Sequence, residues 1–195
     1  MLDETLPLER AAWAAAALAA LVITAAAADL RLKKIPNWLT YPAILLGLAG
    51  NTLAGWTNPA GRWWGLVASL AGFAVGFLPL LLAWLAGGIG GGDAKLMGAV
   101  GAIGGWQFVL SAMLYGFVVA ALMAVAVMVR RHLVRRTLRR VWQTLVLLVT
   151  PGARPADPTD RDSPTVPFGV ALCVGTLAAI AEVLLRTGLR QGLGG

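Results

Sequence analysis

The 195-residue chain contains one cysteine and one histidine. Cys173 alone can form neither an internal disulfide nor a cysteine-rich zinc site. His132 lies among arginines, so serine–histidine and cysteine–histidine catalysis have almost nothing to work with. Charge is scarce as well: Asp, Glu, Lys and Arg make up 13% of the residues, and only nine are acids. The low hydrophobicity that disorder requires is missing. No cleavable signal peptide is evident. The opening MLDETLPLER is mixed and acidic rather than basic, and the apolar run after it is long enough to span a bilayer.

Apolar side chains fill the space these absences leave. They account for 58% of the chain, and the 24 glycines bring the share to about 70%. A soluble domain counted the same way has ~45–50%. Mean hydropathy is +0.76. A water-soluble monomer of this size cannot hide so much apolar surface. The pattern predicts an all-α polytopic membrane protein, a single domain over residues 1–195, with six transmembrane helices and an amphipathic helix on the cytoplasmic surface.

Segment one is predicted over residues 11–29, whose 19 residues reach about 28 Å, roughly one hydrocarbon core. Arg31, Lys33 and Lys34 follow it, and Pro36 stops the helix. Segment two starts near Asn37 or Thr40 and ends near residue 53, with Trp38 and Tyr41 as interface anchors. Segment three covers residues 63–86, with Pro79 as a kink. Five glycines among residues 87–92 break the chain. Segment four, residues 93–103, is too short to cross a full core unaided and needs thinned or watery surroundings. Gly104 and Gly105 separate it from segment five, residues 107–129. Residues 130–149 read as the amphipathic helix. Val134, Leu138, Val141, Trp142 and Leu145 form one face, and Arg135, Arg136, Arg139 and Arg140 the other. That helix suits an anionic lipid surface, and its clean apolar face argues against nucleic acid. A polar, proline-rich loop follows at about 151–165, then segment six at 166–185.

Twelve cations fall on one side of this arrangement: Arg31, Lys33, Lys34, Lys95, the six arginines between 130 and 140, Arg154 and Arg161. Arg10, Arg62, Arg186 and Arg190 fall on the other. The richer side faces the cytoplasm, which puts both termini outside. Of the nine acids, Asp29, Asp93 and Glu182 sit in apolar sequence, where an acid is costly and marks a functional site by default. The same topology brings Asp29 and Asp93 to one depth on the cytoplasmic side.

Two carboxyls at close range share a proton, one acting as general base on a water and the other as general acid on a carbonyl. This aspartic scheme needs no metal, histidine or cysteine. Carboxylates in membranes also serve as relays in proton-coupled transport. Simpler roles exist too. Asp93 after its glycines suits a helix N-cap, and Asp29 can pair with Arg31 or Lys33. Lys95 reads as a snorkelling lysine or as a cation that keeps one aspartate ionised. Glu182 pairs with Arg186 one turn on as a structural ion pair, His132 is interfacial, and Cys173 packs.

Three stretches resemble the bacterial type IV prepilin peptidases. DLRLKKIPNWLT, residues 29–40, looks like their first aspartate motif. GGGDAKLM, residues 90–97, looks like their G-x-G-D motif, and VPFGVA, residues 166–171, like the Pro-Phe-Gly start of their last helix. The resemblance implies an aspartic endopeptidase of the inner membrane. It would remove the basic leader of prepilins or pseudopilins on the cytoplasmic side of their hydrophobic segment, usually after a glycine, with no cofactor. Asp29 and Asp93 carry over as catalytic. Gly90 and Gly92 would let a substrate strand approach. Pro36 and Asn37 would shape the turn beside Asp29, and Pro167, Phe168 and Gly169 would shape the site or pack. Larger members have a cytoplasmic region with two CxxC pairs linked to N-methylation. Here those cysteines are missing, so the resemblance implies peptidase without methyltransferase, like the short forms of Flp/Tad pilus systems. An assembly scaffold is a further alternative.

Overall fold

The computed structural model describes residues 8–55, 62–130 and 167–193, and every regular element among them is an α-helix. These are α1 (Leu8–Leu32), α2 (Asn37–Gly55), α3 (Arg62–Leu85), α4 (Gly91–Gly104), α5 (Trp106–Arg130) and α6 (Phe168–Leu193). The expected amphipathic helix at 130–149, the polar loop at 151–165 and His132 lie, apart from Arg130, outside the described residues. The chain divides into two compact units, residues 1–119 with 167–195, and residues 120–166. Of the second, the 120–130 end of α5 is described, with Leu122, Val125 and Val129 exposed.

Glycine and proline set most of the breaks. Pro36 leaves a turn at 33–36 between α1 and α2. Gly87, at φ 79°, closes α3 in a Schellman arrangement: its N–H donates to Trp84 O and that of Gly88 to Ala83 O, both at 2.9 Å. Gly105, at φ 89°, ends α4 and donates to Gly101 O. Several boundaries differ from expectation: α1 starts at Leu8 rather than 11, and the last helix runs to Leu193 rather than 185; two further differences bear on the site. α1 runs three residues past Asp29, to Leu32, and places that carboxylate on a helical turn rather than at a terminus. Lys33 then closes α1 in the left-handed region (φ 51°), its N–H on Asp29 O. α4 starts inside the glycine run, at Gly91.

α1, α3, α5 and α6 are long and apolar enough to cross a bilayer by length and composition. α4, with 14 residues, reaches only about 21 Å. It compensates by burial. Ala94, Leu96, Met97, Ala99 and Val100 are each at most 1% exposed, within a core that also includes Leu18, Val22, Leu80 and Leu172. A short helix wrapped in protein needs no lipid on its flanks. Its widest contact is with α3, and α2 packs on both. A Cβ at Gly72 would collide with the backbone of Gly101, so α3 and α4 meet main chain to main chain. Ser69 donates to Ala102 O at the same seam. α6 repeats the device on α5, where a Cβ at Gly175 would strike Gly116. The outward surfaces stay apolar, Leu46, Leu82 and Leu122 each being about two-thirds exposed or more. That is the inverse of a water-soluble bundle. Cys173 is buried, as its packing role anticipates.

Candidate active site

Three helix ends meet at one cleft of about 830 Å³, lined by Asp29 and Leu32 of α1, the turn that follows, Asn37 at the start of α2, and residues 90–93 at the start of α4. Asp29 and Asp93 therefore line a single hollow, although 64 positions separate them in sequence.

Asp93 is 8% exposed and sits in the first turn of α4. The N-cap expectation for it is corrected. Gly90 occupies the N-cap with extended backbone (φ −78°, ψ 140°), and Asp93 lies three residues in, its N–H on Gly90 O at 3.1 Å. The first residues of this helix are glycines with neighbours where side chains would be. A Cβ on Gly91 would lie 3.2 Å from the Trp84 indole nitrogen, and one on Gly92 3.0 Å from Ile35 Cβ. Gly90 and Gly92 line the cleft, and their missing side chains leave room for the chain's own Asp93 and Ile35 respectively. An acid in a first helical turn is also favourably placed against the helix dipole.

Asp29 is held from the far end of the sequence. The backbone N–H of Gly169, in the first turn of α6, donates to Asp29 Oδ2 at 3.1 Å. First-turn amides have no partner within their own helix, so a carboxylate satisfies this one. A Cβ on residue 169 would lie 2.7 Å from the same oxygen, so any side chain there would push the Asp29 carboxylate aside. Phe168 packs its ring on Phe117 with centroids 6.1 Å apart, and Pro167 precedes the helix. Among the described residues Asp29 forms no ion pair with Arg31 or Lys33.

Lys95 binds neither aspartate. Its ammonium donates to Asn37 Oδ1 at 2.9 Å and to the Tyr41 hydroxyl oxygen at 3.1 Å, and lies 5.0 Å from the Tyr41 ring centroid. It ties α4 to the start of α2, so Asn37, expected to shape the turn, is anchored by a cation. Pro36 O accepts from Leu39 N–H. Ile35 and Tyr41 are site neighbours that sequence reasoning did not assign. For Ile35 the available signal was an apolar residue in a polar turn beside Pro36. Glu182 lies apart from the cleft lining and accepts from Arg186 and from the Tyr115 hydroxyl at 2.6 Å. Among the described residues no group of three or more His, Cys, Asp or Glu side chains is placed to hold a metal.

Residues 16–125 match the model of the type IV leader peptidase family, a stretch that holds both aspartates. The chain is also similar to the prepilin leader peptidase/N-methyltransferase of Bacillus subtilis (strain 168). The identity is 30% over 117 residues, covering 60% of this chain and 45% of that protein. The chain thus spans about half the length of the curated relative it matches. No solved structure matches it.

Proposed function

The chain belongs to the type IV leader peptidase family, and from that premise we propose an aspartic endopeptidase that uses Asp29 and Asp93 to remove the leader from prepilins or pseudopilins. The observation that carries this reading is the single cleft lined by both carboxyls. In this reading the two carboxyls act with one proton between them, since two ionised carboxylates at close range repel. The ionised partner takes a proton from water as its oxygen attacks the scissile carbonyl. The protonated partner gives its proton to the carbonyl oxygen. Collapse of the tetrahedral intermediate breaks the C–N bond, and the leaving amine takes up a proton from the pair. Gly169 N–H orients Asp29, and Lys95 with Asn37 and Tyr41 fixes α4 against α2.

The protein works in the bacterial inner membrane, with six crossings and both termini on the outer side. The cleft then faces the cytoplasm, where Lys33 and Lys34 mark the interface. The basic helix at 130–140 rests on anionic lipid. No metal or other cofactor takes part. The reaction is leader removal without N-methylation, as in short enzymes of Flp/Tad systems.

Co-expression of a prepilin with the wild-type, Asp29→Asn and Asp93→Asn proteins tests the reading by the shift of processed pilin on a gel. Cleavage at the normal rate by either variant would rule out the dyad. A proton-coupled transporter would leave the prepilin uncut with wild-type protein, and chelators should leave an aspartic enzyme active.

A further inference from the structure

We propose that an apolar groove between α1 and α2 seats the hydrophobic helical segment of the substrate while the aspartate cleft holds the bond to be cut; this rests on the peptidase reading above. The groove has a volume of about 560 Å³ and its lining starts one residue from that of the cleft: Asn37 lines the cleft and Trp38 the groove. Three helices agree on its direction. On α2 it runs from Trp38 to Asn51, about 20 Å at 1.5 Å per residue. On α1 it runs from Thr24 back to Ala14, about 15 Å and away from Asp29. On α4 it meets Ile103, ten residues beyond Asp93. A chain cut at the aspartates and continuing as an apolar helix finds along this path an apolar wall that starts beside the cleft.

The chemistry of the walls fits that occupant. Ala17, Ala20, Ala43 and Gly50 line the groove with small apolar surface, which lets a helix approach closely. Its Thr24 hydroxyl and Asn51 amide donate to the chain's own Ala20 O and Ala102 O, both at 2.7 Å. The groove exists because α1 and α2, joined by a short turn, hardly touch. α1 leans on α6, and α2 on α3 and α4. Its start beside the cleft selects a substrate helix over a lipid chain as the occupant.

Gly50 provides the test, because a Cβ there meets nothing within 4 Å. Gly50→Trp adds bulk at the groove wall from a position where the added Cβ meets no neighbour. The assay uses purified full-length protein in nanodiscs and two substrates: an intact prepilin, and a peptide that keeps the leader and cleavage site but ends before the apolar segment. Wild-type protein should prefer the intact prepilin. Gly50→Trp should raise KM for it about tenfold or more and collapse the preference. Leu82→Trp, at an exposed α3 position outside the groove, should keep it. A photoreactive side chain at position 17 should capture the apolar segment of the prepilin. The proposal is overturned by an intact preference in Gly50→Trp, by no preference in the wild type, or by capture of lipid alone. In each of these cases the wild-type protein still cleaves. A wild type that cuts neither substrate would overturn the peptidase reading as well.

Discussion

Glu182 and the pair Asp29–Asp93 are carboxylates set in apolar helices, yet their surroundings differ. Glu182 accepts from Arg186 one turn along α6 and from Tyr115 on α5, so side-chain donors hold it. Asp29 and Asp93 are in no ion pair among the described residues. Asp29 is held by a backbone amide, and the lysine closest in sequence to Asp93 is engaged by Asn37 and Tyr41. Both line an open cleft. A carboxylate surrounded by side-chain donors fastens two helices together. A pair steered by main chain and open to a hollow stays available for proton transfer.

Substitutions can break this contrast. Asp29→Asn and Asp93→Asn should each slow leader removal by about 10³-fold or more, and the double variant should be little worse than either, since a dyad acts as a unit. A comparable loss in Glu182→Gln would erase the distinction between the two places. Gly169→Ala comes next. Its methyl would press on Asp29 Oδ2, and kcat should fall by about 10- to 100-fold with KM nearly unchanged, as expected for a misplaced reacting group. Glu182→Gln should keep cleavage within about twofold of wild type and lower the melting temperature by about 2–4 °C, a modest figure because Arg186 is largely exposed. The smallest effect belongs to Lys33→Gly. Relief of left-handed backbone at a non-glycine residue is partly offset by the freedom glycine loses on folding, so the melting temperature should rise by only about 1 °C.

Much of this was legible in the residues. Asp29 and Asp93 stood out because an acid in apolar sequence is expensive, and their common side followed from counting cations. Helix breaks at Pro36, Gly87 and Gly105 followed from glycine and proline chemistry. The Glu182–Arg186 pair followed from its four-residue spacing. What stayed hidden depends on close approach. The Gly169 amide meets Asp29 across 140 positions, and Ile35 packs where Gly92 has no side chain. Contacts made by a missing side chain leave no mark on periodicity. The start of α4 was misplaced for the same reason, since glycines normally break helices and here pack inside one. Lys95 illustrates a different limit. The sequence suggested a snorkelling lysine or a cation that keeps one aspartate ionised, while the fold offered Asn37 and Tyr41, both on the facing helix.

The bond from Gly169 to Asp29 also bears on biosynthesis. Translation delivers the first aspartate early and the amide that steers it 140 residues later. A nascent chain that has inserted α1 through α4 holds both carboxyls without this partner. Completion of the arrangement waits for the start of α6 to join the bundle, so the order in which the ribosome releases the helices is also the order in which the cleft is finished.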